Sequence, residues 1–378
     1  MNIQHWPRYL LWGLFLLLGS CVDPYEPAII SAPNSFLVVD GYINSKGPTV
    51  FRLSRTQNLA EKTPPPPVTE AQVYVEEEGG RRVQLSPDGQ GQYTGQHLSI
   101  DTGKQYRLFI QTEGREYASA FVPVKSTPPI DSVSWKLEND GLQVYVSTHD
   151  PRQQTRYYRW DYQETFEFTS AFYSSIEYVN GEIQDRREDI SRCWRSISST
   201  DINIGTSLRL SQDQIREAPL LFTRLPSVKF NYRYSILVRQ YAQTQEAYQY
   251  WEMLKKNTEN IGSLFDPLPT QLTGNITCLT DPGEPVLGFV SAFSVAEKRL
   301  FITGAEMADR WRYVNEYSTC KIDTITLDKV RETFNLTQIP LQSLLNLRGD
   351  IIGYTYSSSN CVDCRERGTN VKPSFWPN

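Results

Sequence analysis

Cysteines, histidines and acidic clusters are the residues that could do chemistry in this 378-residue chain, which holds 6 Cys and 3 His. Cys361-Val362-Asp363-Cys364 has the Cys-x-x-Cys spacing of half a zinc ribbon or of a redox pair. A ribbon needs a second pair of thiols or imidazoles, and Cys193, Cys278 and Cys320 each stand alone in the chain. Structural disulfides are therefore expected among Cys193, Cys278, Cys320, Cys361 and Cys364, with no metal and no cofactor. With Cys21 set aside for the leader discussed below, the number left is odd, so at most two bridges form within one chain. The expected pairs are Cys320 with Cys361 or Cys364, and Cys193 with Cys278; spacing alone leaves the connectivity open.

The other constellations point away from catalysis. His149-Asp150 looks like a dyad, but Pro151 follows and a solvated turn at a strand end is the expected setting. No Gly-x-Ser-x-Gly elbow, His-Glu-x-x-His or phosphate-cradling glycine loop occurs. Glu76-Glu77-Glu78 and Asp185 to Asp189 lack the alternating acids and central glycine of a calcium loop. Nothing marks a carboxylate pair for glycoside hydrolysis, and Arg348-Gly349-Asp350 reads as chance. With 43 acidic against 38 basic residues and no long basic run, the chain lacks the footprint of a nucleic-acid binder. No enzyme activity is expected.

Arg8 precedes the apolar run Tyr9 to Leu18. Ten helical residues span about 15 Å, whereas a bilayer core takes roughly 20 apolar residues. Residues 1–20 therefore read as a signal peptide rather than a membrane span. Leu18-Gly19-Ser20-Cys21 resembles the bacterial lipobox, which implies lipidation of the Cys21 sulfur. Each buried CH₂ contributes about 0.8 kcal/mol, so two or three acyl chains anchor stably where one does not. Val22 rather than Asp follows the cysteine, so no inner-membrane retention signal is present and the outer membrane is expected. Residues 21–35 read as a proline-interrupted tether.

The whole sequence is 39% hydrophobic and 12% aromatic, enough for a packed core. Period-two alternation and turn residues predict seven strands in residues 36–124: near 36–43, 49–53, 71–76, 82–85, 91–95, 106–111 and 117–121. That density implies an antiparallel sandwich. Gly103-Lys104-Gln105-Tyr106 looks like a tyrosine corner. Lys125-Ser126-Thr127-Pro128-Pro129 is the expected linker, and residues 130–378 the second β-rich domain. In that domain Tyr157 to Phe168 and Tyr232 to Tyr241 alternate, residues 169–227 read as an insertion, and the end reads as an irregular tail. One helix is predicted near 244–257, with Thr244 as its cap and Ala247, Tyr250, Trp251 and Leu254 on one face. Aromatics crowd the second domain, and alternation leaves one set for solvent or a ligand. The ligand-binding candidates are Trp160, Tyr162, Phe172, Tyr173 and Tyr178.

Several segments resemble a lipoprotein family of the Bacteroidota, domain-of-unknown-function family 4249. They are Cys21-Val22-Asp23-Pro24, Leu37 to Gly41, Tyr234 to Gln240, Tyr248 to Trp251, Gly262 to Asp266, Gly274-Asn275-Ile276 and Val286 to Phe289, then Cys361 to Arg365 and Lys372 to Trp376. The resemblance implies an envelope lipoprotein, commonly encoded beside TonB-dependent outer-membrane receptors, which makes such a β-barrel the expected partner, and it implies no reaction. Residues 36–124 separately resemble a transthyretin-like or carboxypeptidase-regulatory-like sandwich, and the second domain an enlarged fibronectin-type sandwich. The expectation is thus a mainly β protein of two consecutive antiparallel sandwiches that acts as a non-catalytic accessory or ligand-capturing subunit associated with a TonB-dependent transporter. The alternative is a free-standing glycan- or protein-binding adhesin. Asp131-Ser132-Val133 and Asp323-Thr324-Ile325 resemble a short O-glycosylation signal of the same bacteria, at Ser132 and Thr324.

Overall fold

Strands dominate the computed structural model, which describes residues 35–58, 61–96, 98–259, 274–307, 314–334 and 337–377. The leader, Cys21, most of the tether, His97 and Gly262 to Asp266 lie outside the described residues. Among the described residues no helix is long and apolar enough to cross a membrane.

All seven strands expected in the first region form, within a twelve-stranded sheet. Leu37–Asn44 pairs antiparallel with Thr49–Arg55, and Gln105–Thr112 lies between Gln72–Glu77 and Arg115–Ser119. The alternating apolar side chains of these strands meet in one core, where Leu37, Phe51 and Leu53 pack with Val73, Leu108, Ile110 and Tyr117. Burying such a side chain contributes about 1.5–3 kcal/mol. The tyrosine corner forms as its spacing suggests, with the backbone N–H of Asp101 donating to the Tyr106 hydroxyl at 2.8 Å.

The sheet is not completed by the first region alone. Leu37 and Val38 pair in parallel with Val286 and Leu287, Ile43 and Asn44 with Ala292 and Phe293, and Ile276–Cys278 runs antiparallel to Arg115–Ser119. The expected boundary, with everything after residue 130 in a second domain, is therefore corrected: residues 276–293 return to the first. An open sheet edge exposes unpaired N–H and C=O groups, and the returning segment pairs them. Residues from Phe36 onward make one compact unit.

In the second region a three-stranded sheet, Ile130–Glu138, Gly141–His149 and Gln214–Arg224, packs on a five-stranded one. The latter runs Arg192–Ser198, Tyr157–Thr169, Arg233–Gln243, Val295–Thr303, with Asn203–Thr206 added beside Tyr157–Thr169. Leu142, Val144 and Val146 from one layer meet Tyr158, Trp160, Ile236 and Val238 from the other. Residues 125–129 are tied on both sides. Thr127 donates its N–H to Ser294 Oγ and accepts from Ala242 N–H, while Gln240 Nε2 donates to the Pro128 carbonyl at 2.8 Å.

The C-terminal part differs from the irregular tail expected. Asp323–Thr326, Ile351–Ser358 and Gln338–Leu345 form a three-stranded sheet. The Ile176–Val179/Glu182–Asp185 hairpin packs against it through Ile176, Ile325, Phe334 and Tyr354. Two disulfides hold this region, Cys320–Cys361 and Cys193–Cys364. The first is one of the expected alternatives; the pairing of Cys193 with Cys278 is corrected. Cys278 sits on the returning strand opposite Tyr117 in the first core, buried and unbridged, out of reach of Cys193. Cys193 instead lies opposite Phe168, where the chain passing through Cys364 crosses it.

Candidate functional site

The strand Tyr157–Thr169 decides which aromatics can meet a ligand. Its alternation sends Tyr158, Trp160 and Tyr162 into the core, all at least nine-tenths buried. Trp160 donates its indole N–H to Gln240 Oε1 at 2.8 Å, and Tyr162 donates to Asp201. Trp160 and Tyr162 are thus core residues, not exposed binding residues, and that expectation is corrected. The reason is the facing sheet: Leu142, Val144 and Val146 cover that side. The insertion aromatics are dispersed as well. Phe172 packs on Ile190, Leu341 and Val362, and the Tyr178 ring lies 5.8 Å from that of Phe334. Tyr173 alone of these is exposed, at 68%.

The opposite face of the same strand carries Arg159 and Asp161. They lie directly across from Tyr241 and Arg239 on Arg233–Gln243. These four side chains line a cleft of about 860 Å³ between the two β regions. Its other walls come from Asp40 and Tyr42 on the first strand, from Phe289 and Phe293 on the returning segment, and from Tyr250 and Trp251 on the helix. Ligand clefts typically enclose about 300–1,000 Å³ with mostly apolar walls and a few fixed polar groups.

The helix is Gln245–Glu259, close to the range read from sequence, and Thr244 Oγ1 accepts from Ala247 N–H at its start. Ala247 and Tyr250 are buried, whereas Trp251 and Leu254 remain half-buried on the cleft wall. Lys255 Nζ donates to the Ile202 carbonyl at 2.8 Å and Glu259 accepts from Ile202 N–H, so the helix is fixed in place. At the floor, two glycines permit a close backbone crossing. Gly41 and Gly288 have φ of +143° and +136°, and a Cβ there would sit 2.3 Å from the Val50 oxygen and 2.2 Å from the Val39 oxygen.

The polar groups are oriented by one another. Arg239 Nε donates to Asp161 Oδ1 at 2.6 Å and the Tyr241 hydroxyl to Oδ2 at 2.5 Å. Burial opposes the charge of Arg239, but Asp161 more than offsets it and raises its pKa. Burial, reinforced by Asp161, pushes the phenols of Tyr42 and Tyr241 up. Burial, with Asp40 nearby, pushes Tyr250 up to about 12. All three therefore stay protonated as O–H groups around neutral pH. The Arg159 guanidinium is 4.6 Å from the Tyr241 ring centre and 4.3 Å from that of Trp251, a cation–π sandwich. Its Nε has no hydrogen-bond partner, and neither end of the Gln243 amide has one although that side chain is 98% buried. Donors and one amide acceptor thus stand unused beside aromatic faces.

None of Arg159, Asp161, Arg239, Tyr241 or Trp251 was singled out as a ligand-binding residue from the sequence. A signal did exist: polar residues (Arg159, Asp161, Gln163, Thr165 and Glu167) occupy every second position of an otherwise aromatic strand, and the apolar face of the helix is wider than two buried residues require. Among the described residues no group of three or more His, Cys, Asp or Glu side chains is placed to hold a metal. His149 Nδ1 lies 2.8 Å from Asp131, partly exposed, rather than in a dyad with Asp150.

Fold and site together define a mainly β protein with an aromatic, ion-paired cleft between two β regions. The chain belongs to the family described as Domain of unknown function (DUF4249), whose model matches residues 22–299. The match stops short of the bridged C-terminal sheet and of the Lys372 to Trp376 ending. No curated protein matches the chain. Among solved structures, one similar chain is a protein of Bacteroides uniformis ATCC 8492 provisionally described as carbohydrate binding. It is 10% identical with a TM-score of 0.14, over 57% of this chain and 93% of that one. Another is CBD12 from CALX1.2, also 10% identical with a TM-score of 0.14, over 71% of this chain and 100% of that one. At such scores neither carries an argument about this protein.

Proposed function

We propose that this protein is a non-catalytic, lipid-anchored component of the outer membrane that captures a ligand for a TonB-dependent transporter. The observation that carries the ligand-capturing reading is the cleft, where aromatic faces and oriented polar groups converge between two β regions. In this reading Trp251 and Tyr42 supply flat apolar surface, while Arg159 and Gln243 supply the unused hydrogen-bonding atoms. Asp161 accepts from both Arg239 and Tyr241, which makes it a positioning group rather than a base poised for proton abstraction. The two layered regions are read as a transthyretin-like or carboxypeptidase-regulatory-like sandwich and an enlarged fibronectin-type sandwich. Cys21 carries the lipid and residues 22–35 act as the tether.

The transporter part rests on the family and is tested by gentle solubilisation of crosslinked cells followed by identification of what co-purifies. Recovery of a β-barrel receptor is the expected outcome; recovery of the protein alone would sink that part. The anchor has its own check, since Cys21→Ala should abolish palmitate labelling. The adhesin alternative drew on Phe172, Tyr173 and Tyr178, and with only Tyr173 exposed no specific observation favours it.

A further inference from the structure

A second cavity, of about 460 Å³, lies where the chain's last segment crosses the five-stranded sheet. Its walls include Trp194 and Arg192 on one strand, Arg233 on another, and Lys372 and Trp376 from the crossing segment. That segment is held firmly. Trp194 and Thr369 exchange backbone hydrogen bonds at 2.8 and 3.0 Å, Cys364 is bridged to Cys193, and the Arg299 guanidinium lies 3.5 Å from the Phe375 ring centre. The Trp194 and Trp376 rings meet edge to face at 6.4 Å.

Both indoles are more than nine-tenths buried, and both Nε1–H groups lack an acceptor. Buried polar groups are nearly always paired, so two orphaned donors on one cavity are an unusual juxtaposition. An indole N–H can only donate, and so can the guanidinium and ammonium groups beside it. Glu167, the one carboxylate among the described residues that line the cavity, faces Arg192 at 3.5 Å, and Arg233 Nη1 donates to the Pro377 carbonyl at 3.1 Å. Two guanidinium groups beside that carboxylate, with two unused indole donors, suit an acceptor that carries negative charge. The volume exceeds that of a bare ion, and the aromatic walls offer a surface for a ring.

We propose that this cavity is a binding site for a small carboxylate-bearing ring compound, recognised through the indole N–H groups of Trp194 and Trp376 and the charges of Arg192 and Arg233. The site is separate from the cleft and does not depend on the function proposed for it. The test uses the full chain in detergent micelles with D-glucuronate, benzoate and their neutral amides as probes, read by calorimetry and tryptophan fluorescence. At least one acid should bind about tenfold more tightly than its amide, equivalent to about 1.4 kcal/mol. Trp194→Phe keeps the ring and deletes the N–H, and Arg233→Gln deletes the charge. Each should weaken the acid several-fold and leave the amide unchanged, while Trp251→Ala in the cleft should alter neither. Equal affinity for acid and amide, no binding of any probe at millimolar concentrations, or an unchanged affinity in Trp194→Phe would overturn the proposal.

Discussion

Two faces of one strand, Tyr157–Thr169, carry the opposing roles in this molecule. One face packs Tyr158, Trp160 and Tyr162 under a second sheet, with Tyr158 and Trp160 bonded to buried Asp213 and Gln240 and Tyr162 to exposed Asp201. The other presents Arg159 and Asp161 to the cleft, where charge is held by cross-strand partners and aromatic faces. Adjacent residues thus differ in what they do, the first face holding the fold and the second leaving bonding capacity free. The difference arises from what lies opposite: a covering sheet on one side, open volume on the other.

The sharpest way to break this comparison is to substitute neighbours. Trp160→Ala should destabilise by about 3–5 kcal/mol, since it opens a cavity and strands Gln240. Arg159→Ala should stay within about 1 kcal/mol. Urea unfolding measures both, and equal losses would mean that the faces are not distinct. The next effect concerns the support behind the core face. Cys193→Ser with Cys364→Ser removes the bridge beside Phe168 and should cost about 2–5 kcal/mol. Its C-terminal segment should become protease-sensitive in limited digestion, while Cys278, buried in the other core, should not react in its place.

On the cleft face the effect should appear in binding and not in stability. Trp251→Ala should weaken a cleft ligand about tenfold or more, the typical consequence of losing an aromatic anchor, with an unchanged unfolding midpoint. A panel of glycans and peptides read by calorimetry supplies the ligand, and a loss of folding in step with a loss of binding would merge the two faces. The smallest effect lies in the bridged segment, next to Cys364. Burial alone would raise the Asp363 pKa, but hydrogen bonds and charge from Arg365 more than offset it and hold the carboxyl below its usual range. Stabilisation from such a group is present above the unfolded value, about 3.9 for Asp, and is lost as pH falls through the lower folded value. Asp363→Asn should therefore be less stable by about 0.5–1 kcal/mol at neutral pH. The gap from the parent should close once acid protonates Asp363, and a gap independent of pH would remove the charge from the account.

Much of this organisation was legible before any coordinates. Strand Gln105–Thr112 places Tyr106, Leu108 and Ile110 on one face, and helix Gln245–Glu259 announces itself by its cap at Thr244 and its apolar spacing. Other parts left little trace. The returning strands Val286–Leu287 and Ala292–Phe293 are two residues each, too short for any period to show. Trp160 and Tyr162 were assigned to the binding face because aromatics occupy the strand densely, and hydrophobicity cannot say which side of a strand another sheet will cover. Cys193 and Cys364 are 171 residues apart, a distance at which spacing carries no information about contact.

What the amino-acid sequence determined by itself is local: the β-rich character, the turn chemistry, the tyrosine corner at Tyr106 and the capped helix. These depend on side-chain period and backbone preference within a few residues, which any short stretch contains. Only the tertiary structure decided that residues 276–293 would complete the first sheet, that Cys193 would find Cys364, and that Arg159, Asp161 and Trp251 would share a cleft. Each of those requires segments distant in the chain to meet, and that is set by the packing of whole layers against one another rather than by any segment alone.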